Sequence, residues 1–204
     1  MTIELFGHPY SHNSRKVQWA LEELGAPYQL HVVDLMSGAQ KSPELLRKNP
    51  NGRVPVIHDG DLVLYESNAI LWYLADTTKK LLPAEAAGRA LTMQWLTWQA
   101  SDLAARCVEP WLMKFYASMG QPFDAAKHTA AVEAARAPLA VLEGHLQGRT
   151  AIVGSELGVA DIAIAESIGL AEYAGIDLSA YPAIRGWFEP LSKRPGFVKT
   201  RPQA

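Results

Sequence analysis

The sequence has one cysteine, Cys107, and no long apolar run. A lone cysteine cannot form an intramolecular disulfide, which excludes the disulfide-stapled class of small secreted domains. No stretch approaches the roughly 20 apolar residues that a membrane-spanning helix requires, and the first residues lack the basic and apolar regions of a signal peptide. We therefore expect a soluble protein of the reducing cytoplasm, without a membrane partner.

An excess of charge of one sign is also lacking. The 204 residues carry 19 Lys and Arg against 21 Asp and Glu, and the basic residues are scattered along the chain. Proteins that bind polyanions usually display a basic patch, so we expect no nucleic-acid partner. The six histidines show no ligand spacing on a common helix, so we expect no metal. The composition, with 49% hydrophobic residues, is that of a globular protein.

Up to residue 77, short apolar runs alternate with strongly periodic segments. Residues 2–6 and 28–33 have the pattern of buried strands, and residues 14–24 have that of a helix between them. A turn signal separates residues 53–57 from 62–64, which predicts a β-hairpin before a further helix. The predicted order is βαβ followed by ββα. The loop after the first strand then lies at its carboxyl end, where open α/β sheets bind ligands.

Beyond residue 77 the chain becomes rich in alanine and helical in pattern. We place the first domain at 1–77, a linker at 78–88 and an all-helical domain at 89–204. Four helical patterns lie at 91–98, 132–146, 160–171 and 184–191. Pro138 falls inside the second pattern, so that helix should kink there or begin late.

Four local sequences, taken in order, resemble one known family. They are Ser-His-Asn-Ser-Arg-Lys-Val at 11–17, Asn-Gly-Arg-Val-Pro at 51–55, Leu-Tyr-Glu-Ser-Asn-Ala-Ile at 64–70 and Val-Ala-Asp-Ile-Ala at 159–163. Together they resemble the cytosolic glutathione transferases over essentially the whole chain, with features of theta-, delta- and nu-like bacterial classes side by side. The resemblance implies an α/β thioredoxin-like first domain that binds glutathione, an all-α second domain, and a homodimer.

The resemblance points to Ser11 as the residue that activates the glutathione thiol. An unperturbed thiol has a pKa of about 8.5 and is mostly protonated at neutral pH. A hydroxyl that donates a hydrogen bond to sulfur at the amino end of a helix lowers that pKa, and Ser11 resembles the family's serine four residues before an arginine, here Arg15. Asn13 resembles an asparagine of bacterial relatives and is a second donor. Tyr10 and Ser14 compete for this role, although lining the electrophile pocket and capping the helix explain them better.

The other ends of glutathione are assigned through the same resemblance. Val54, which precedes the family's cis-proline, would pair with the peptide-like ligand. Glu66 would meet the γ-glutamyl amine, and Ser67, at a helix start, the γ-glutamyl carboxylate. The glycyl carboxylate is assigned to Gln40, Lys41 and Arg53. Outside the family, a plain helix N-cap for Ser67 and a solvated surface charge for Lys41 and Arg53 would be the better explanations.

The implied function is glutathione transfer, in which the thiolate attacks a small apolar electrophile in a cleft between the domains. The candidate residues of that cleft are Tyr10, Arg106 and Trp111. Segment 7–17 has no cysteine, which disfavours disulfide exchange by the protein itself. Glutathione could still reduce a disulfide or peroxide at the same Ser11 and Asn13, and a non-enzymatic binding module is a third alternative.

Two further residues have folding roles in this interpretation. Asp161 resembles the acidic residue of the family's helix capping box, but Gly158 replaces the hydroxyl residue that would complete the box, which costs about 1 kcal/mol or less. Cys107, on a helical segment, is expected to be a small buried hydrophobe with no catalytic role.

Overall fold

The computed structural model describes residues 2–202, which form two compact units. The first unit contains the described residues up to Leu82 together with those from Arg194 onward, and the second is Pro83–Lys193. The last residues of the expected helical domain 89–204 therefore cluster with the first unit, through side-chain contacts described below. The limits at 77 and 88 remain predictions.

The first unit is built on a four-stranded mixed sheet. Its elements are β1 (Ile3–Gly7), α1 (His12–Leu24), β2 (Tyr28–Val32), a 3-10 turn (Ala39–Lys41), α2 (Pro43–Lys48), β3 (Val56–Asp59), β4 (Leu62–Tyr65) and α3 (Ser67–Thr78). The strand order is β2-β1-β3-β4; β1 is parallel to β2 and antiparallel to β3, and β3 is antiparallel to β4. The predicted βαβ-ββα order and α/β class are confirmed.

Helix α1 follows the predicted apolar pattern. Val17, Ala20 and Leu21 are fully buried, and Leu24 nearly so, which places one face of the helix in the core. Gly25 ends the helix at a φ of 64°, a left-handed conformation that glycine adopts without steric cost.

The second unit is helical throughout its regular structure. Its helices are α4 (Ala86–Trp98), α5 (Ala104–Ser118), α6 (Ala125–Ala134), α7 (Arg136–Leu146), α8 (Val159–Ile168), α9 (Ala171–Ala174) and α10 (Pro182–Ser192). A π-helical turn, Gln99–Leu103, joins α4 to α5. Every residue of α8 is buried, so α8 forms the centre of this unit. The pattern at 132–146 divides at Ala135, and Pro138 stands in the first turn of α7, as a late helix start requires.

A short last helix, α11 (Pro195–Lys199), packs on α1 within the first unit. The rings of Trp19 and Phe197 meet edge to face with centroids 5.1 Å apart. The Arg194 guanidinium donates two hydrogen bonds to the Glu23 carboxylate, at 2.8 and 2.7 Å. These contacts explain why the chain end belongs to the first unit. Within residues 2–202, no helix combines the length and the apolar character that crossing a bilayer demands.

Candidate functional site

Ser11 is the N-cap of α1. Its Oγ accepts a hydrogen bond from the Ser14 amide at 3.3 Å, which uses a lone pair of the hydroxyl and leaves its proton available. No group in residues 2–202 accepts that proton. The hydroxyl can therefore donate to an incoming sulfur atom while it continues to cap the helix.

Ser14 is not the cap that the sequence suggested. The helix begins two residues earlier than predicted, at His12, so Ser14 is its third residue and is fully buried. The Ser14 Oγ accepts a hydrogen bond from the His8 amide at 3.2 Å. This position gives Ser14 a structural role under the loop that precedes α1.

The starts of α1 and α3 are joined by two side-chain hydrogen bonds. The Ser67 hydroxyl donates to Asn13 Oδ1 at 3.1 Å, and the Lys16 ammonium donates to Asn68 Oδ1 at 2.9 Å. Asn13 and Lys16 are three residues apart and so share one face of α1. The structure thus brings together Asn13 and Ser67, two predicted site residues that are 54 positions apart in sequence.

The start of α3 is built to receive an anion. Glu66, the residue before the helix, has a φ of 70° and a ψ of 109°, and its side chain makes no capping hydrogen bond. Non-glycine residues rarely adopt such a φ, and strain of this kind concentrates at ligand sites. The Ser67 amide has no acceptor among the described residues. An open amide and the positive end of the helix dipole both favour a carboxylate at this point.

Most of the predicted glutathione ligands line one hollow, with about 310 Å³ of empty space. Its lining residues are Asn13, Asn49, Arg53, Val54, Pro55, Glu66 and Ser67. The Val54-Pro55 peptide bond is cis. The N–H and C=O of Val54 have no hydrogen-bond partner among residues 2–202, so both remain available to an extended peptide. The exposed side chains of Arg53 and Glu66 place opposite charges on the hollow.

Asn49 is a residue of the hollow that the sequence analysis missed. It is buried, its Nδ2 donates to the Arg53 carbonyl at 2.8 Å, and its Oδ1 accepts from the Asn51 amide at 3.0 Å. These two bonds fix the shape of the loop that carries Arg53 and Val54. The sequence Asn-Pro-Asn-Gly at 49–52 is a strong turn signal, and it was the only indication available.

Gln40 and Lys41 do not line the hollow, but Lys41 supports its loop. The Lys41 ammonium donates to the Asn51 carbonyl at 2.9 Å. Gly52 has a φ of 58°, which favours glycine, and a Cβ at that position would lie 2.6 Å from Lys41 Cδ, so a larger residue would displace the Lys41 side chain. Gln40 Oε1 is buried and accepts no hydrogen bond from the described residues.

Two buried cations, Arg15 and Lys16, lie near the start of α1. The pKa of His12 is well below its ordinary value because burial disfavours the charged imidazolium and because the nearby charges of Lys16 and Arg15 oppose it. The Arg15 guanidinium also donates to the carbonyls of Pro9 and Tyr10, both at 3.3 Å. A field that opposes a second cation favours an anion such as a thiolate.

The three candidate residues of the electrophile pocket are divided between the two units. Tyr10 belongs to the first unit and is 48% exposed. Arg106 and Trp111 lie on α5 in the second unit, where Arg106 donates to the Asp102 carbonyl at 3.0 Å and Trp111 stacks on Phe115 with centroids 5.0 Å apart. Their contact with a second substrate stays a prediction.

Cys107 is fully buried on α5, and burial raises the pKa of its thiol to about 12. A thiol with that pKa stays protonated near neutral pH and is a poor nucleophile. Among residues 2–202, no three His, Cys, Asp or Glu side chains are arranged to hold a metal ion. Any thiol chemistry at the hollow must therefore come from a bound ligand.

Comparison with known proteins decides the family. The model for the glutathione S-transferase N-terminal domain matches residues 1–76, and that for the C-terminal domain matches residues 107–195. The chain belongs to the glutathione S-transferase family. The transferase is 34% identical over 200 residues to the Escherichia coli disulfide-bond oxidoreductase YfcG, with 95% of this chain and 91% of that protein covered.

Two further relatives of the transferase support the assignment. It is 33% identical to the Escherichia coli glutathione S-transferase GstB over 201 residues, which cover 97% of this chain and 96% of GstB. A glutathione transferase family member from Pseudomonas fluorescens, solved with two glutathione molecules bound, superposes with a TM-score of 0.89 at 31% identity. That alignment covers 98% of this chain and 92% of the other.

Proposed function

We propose that this glutathione transferase activates the glutathione thiol through the Ser11 hydroxyl. The observation that supports this proposal most directly is that Ser11 caps α1 through its oxygen, while its proton remains available for a sulfur acceptor. A hydrogen bond to the thiolate, together with the helix dipole and the charges of Arg15 and Lys16, lowers the thiol pKa. Asn13 Nδ2 is a second donor on the same helical turn.

The γ-glutamyl end of glutathione is assigned to the start of α3. Its carboxylate accepts hydrogen bonds from the Ser67 amide and hydroxyl, and in doing so replaces Asn13 Oδ1 as the acceptor of that hydroxyl. The Glu66 carboxylate pairs with the γ-glutamyl ammonium. The strained backbone of Glu66 supports this role because it lets one residue precede the helix and face the hollow.

The cysteinyl and glycyl parts occupy the loop before β3. The N–H and C=O of Val54 pair with the ligand backbone in the manner of an added strand. Arg53 holds the glycyl carboxylate, with Lys41 and Gln40 beside it. The hydrogen bonds of Asn49 and Lys41 support this assignment because they hold the loop in shape before the ligand arrives.

The chemical step is nucleophilic attack by the glutathione thiolate on a small apolar electrophile. A carbon–sulfur bond forms, and the electron pair passes to the leaving group or to the electrophile's acceptor atom. Ser11 acts as a hydrogen-bond donor and not as a base. Tyr10, Arg106 and Trp111 are proposed to contact the electrophile. A homodimer and a cytoplasmic location complete the proposal; the single cysteine of the chain supports the latter.

The test is a pH titration of the ultraviolet thiolate absorbance of bound glutathione. In the native enzyme the thiol pKa should lie below its free value, and Ser11→Ala should raise it by roughly one unit or more. Ser118→Ala, which changes an exposed serine at the end of α5, is the matched control and should leave the titration unchanged. A native titration in Ser11→Ala would overturn the assignment of Ser11.

Glutathione-dependent disulfide reduction is the second candidate function. One of the relatives is named a disulfide-bond oxidoreductase, and the Pseudomonas fluorescens structure holds two glutathione molecules. Because segment 7–17 contains no cysteine, the reducing electrons must come from bound glutathione. Glutathione-dependent reduction of a small disulfide at a rate above that for every apolar electrophile tried would favour this activity.

A further inference from the structure

His8 makes three hydrogen bonds within the loop and helix start that contain Ser11. Its backbone amide donates to Ser14 Oγ at 3.2 Å, and its carbonyl accepts from the Ser11 amide at 2.9 Å. Its ring nitrogen Nδ1 accepts from the Tyr10 amide at 3.2 Å. One residue thus holds three others between β1 and the first turn of α1.

The bond to Tyr10 requires an uncharged imidazole. Nδ1 can accept from an N–H only when it carries no proton, so the proton of the neutral ring is on Nε2. Protonation would place a second N–H against the Tyr10 amide and break the bond. Burial lowers the pKa of His8, and the Asp34 carboxylate, which follows β2, opposes that shift. From α1, the Arg15 guanidinium faces the same loop through the carbonyls of Pro9 and Tyr10.

We propose that His8 is a positioning residue for Ser11: its neutral ring holds the loop in the form that presents the Ser11 hydroxyl to the glutathione sulfur. This inference rests on the proposed role of Ser11. His8 is not the base that deprotonates the thiol, because Nδ1 is occupied by the Tyr10 amide and Nε2 already carries a proton. Activity should therefore fall when the pH drops below the pKa of His8, in addition to any loss from protonation of the thiol itself.

Two substitutions separate the hydrogen bond from the ring. Asparagine at a turn accepts from the amide two residues ahead and does not titrate, so His8→Asn should keep the bond at every pH. We expect His8→Asn to retain the native thiol pKa and a kcat/KM within about twofold at pH 8, and to lose one of the two ionisations in the acid limb. We expect His8→Ala to raise the thiol pKa and to lower kcat/KM roughly tenfold to a hundredfold.

Nuclear magnetic resonance of the native enzyme tests the proposal without a substitution. The Tyr10 and Ser11 amide signals should shift on acidification with the same midpoint as the His8 ring, below the ordinary histidine pKa of about 6.5. The proposal would be overturned if the Tyr10 and Ser11 amide signals did not change as His8 titrates. A His8→Asn variant with the same thiol pKa and kcat/KM as His8→Ala would also overturn it. A raised thiol pKa in Ser11→Ala beside a native value in His8→Ala would overturn the role of His8 alone. A native thiol pKa in Ser11→Ala would instead overturn the proposed function on which it rests.

Discussion

The first turn of a helix leaves backbone N–H groups without partners, and α8 and α3 meet this need in different ways. At α8 the chain supplies the acceptor itself. Asp161 Oδ2 accepts from the Gly158 amide at 3.0 Å, and Oδ1 accepts from the Ile152 amide and the Trp187 indole, both at 2.9 Å. Burial raises the pKa of Asp161, and the three hydrogen bonds oppose that rise because they favour the ionised carboxylate.

At α3 the chain provides no such acceptor. Glu66 contributes no side-chain cap, the Ser67 amide is open, and the preceding backbone is strained. The helix start that is satisfied by its own chain serves folding, and the open one is available to a ligand. Unpaired backbone donors beside a strained residue, as at α3, therefore indicate a candidate ligand site.

The largest expected effect comes from removing the acceptor at α8. Asp161→Ala leaves a buried amide, a half-buried amide and a buried indole N–H without partners, and should lower the free energy of unfolding by about 3–5 kcal/mol. Chemical denaturation measures this loss. The exposed Asp177→Ala, in the same unit, should cost much less. An Asp161→Ala protein as stable as Asp177→Ala would show that α8 is not held by its carboxylate.

The open start of α3 should respond mainly in affinity, with a smaller loss of stability from the missing hydrogen bond between Ser67 and Asn13. Ser67→Ala removes a donor to the γ-glutamyl carboxylate and should weaken glutathione binding about tenfold to a hundredfold, measured by calorimetry. Ser42→Ala is the matched control because Ser42 caps α2, accepting from the Leu45 amide at 3.3 Å. That control should lose stability and keep its affinity, and the reverse pattern would refute the comparison.

The Glu23 carboxylate, at the contact between α1 and α11 in the first unit, also accepts its hydrogen bonds from the chain itself. The hydrogen bonds from Arg194 lower the pKa of Glu23, since they favour its ionised form. A folded pKa below the unfolded one adds stability above the unfolded pKa of about 4.5, and this stability is lost as the pH falls through the folded value.

Glu23→Gln should therefore cost about 1–2 kcal/mol at pH 7, after allowance for the solvent-screened Arg194, and much less in acid. Denaturation at a series of pH values checks the difference. Glu189→Gln, whose partner Lys193 is exposed, is the control and should show no measurable loss. A loss for Glu23→Gln that is constant with pH would contradict the assignment.

The sequence predicts more of the fold than of the site's detail. Apolar spacing identifies α1 and the order of strands and helices along the first unit, because burial of one face leaves a periodic pattern in the sequence. The start of α1 was misjudged because the choice between Ser11 and Ser14 as cap depends on a side-chain rotamer. The contacts of Phe197 and Arg194 with α1 join residues far apart in sequence, and no local pattern records them.

The candidate site also divides into residues that a local sequence motif identifies and residues whose role depends on the folded structure. Ser11, Val54 and Ser67 could be proposed because the motifs that resemble the family contain them, and those motifs stand at helix starts and turns. Asn49 could not, since its role lies in bonds to two backbone groups of a loop that is defined only after folding.

The smallest expected effect comes from adding a second capping group at the start of α8, which would increase its difference from α3. Gly158 stands at the N-cap of α8 with a φ of −127° and a ψ of 173°, extended backbone that serine also adopts. Gly158→Ser adds a hydroxyl that can accept from the Asp161 amide, and should raise the free energy of unfolding by a few tenths of a kcal/mol, roughly the usual advantage of serine over glycine at this position. Thermal unfolding of Gly158→Ser beside Gly158→Ala measures the contribution of the hydroxyl. If the alanine variant gains as much, the benefit comes from reduced backbone freedom in the unfolded chain, and α8 needs no second cap.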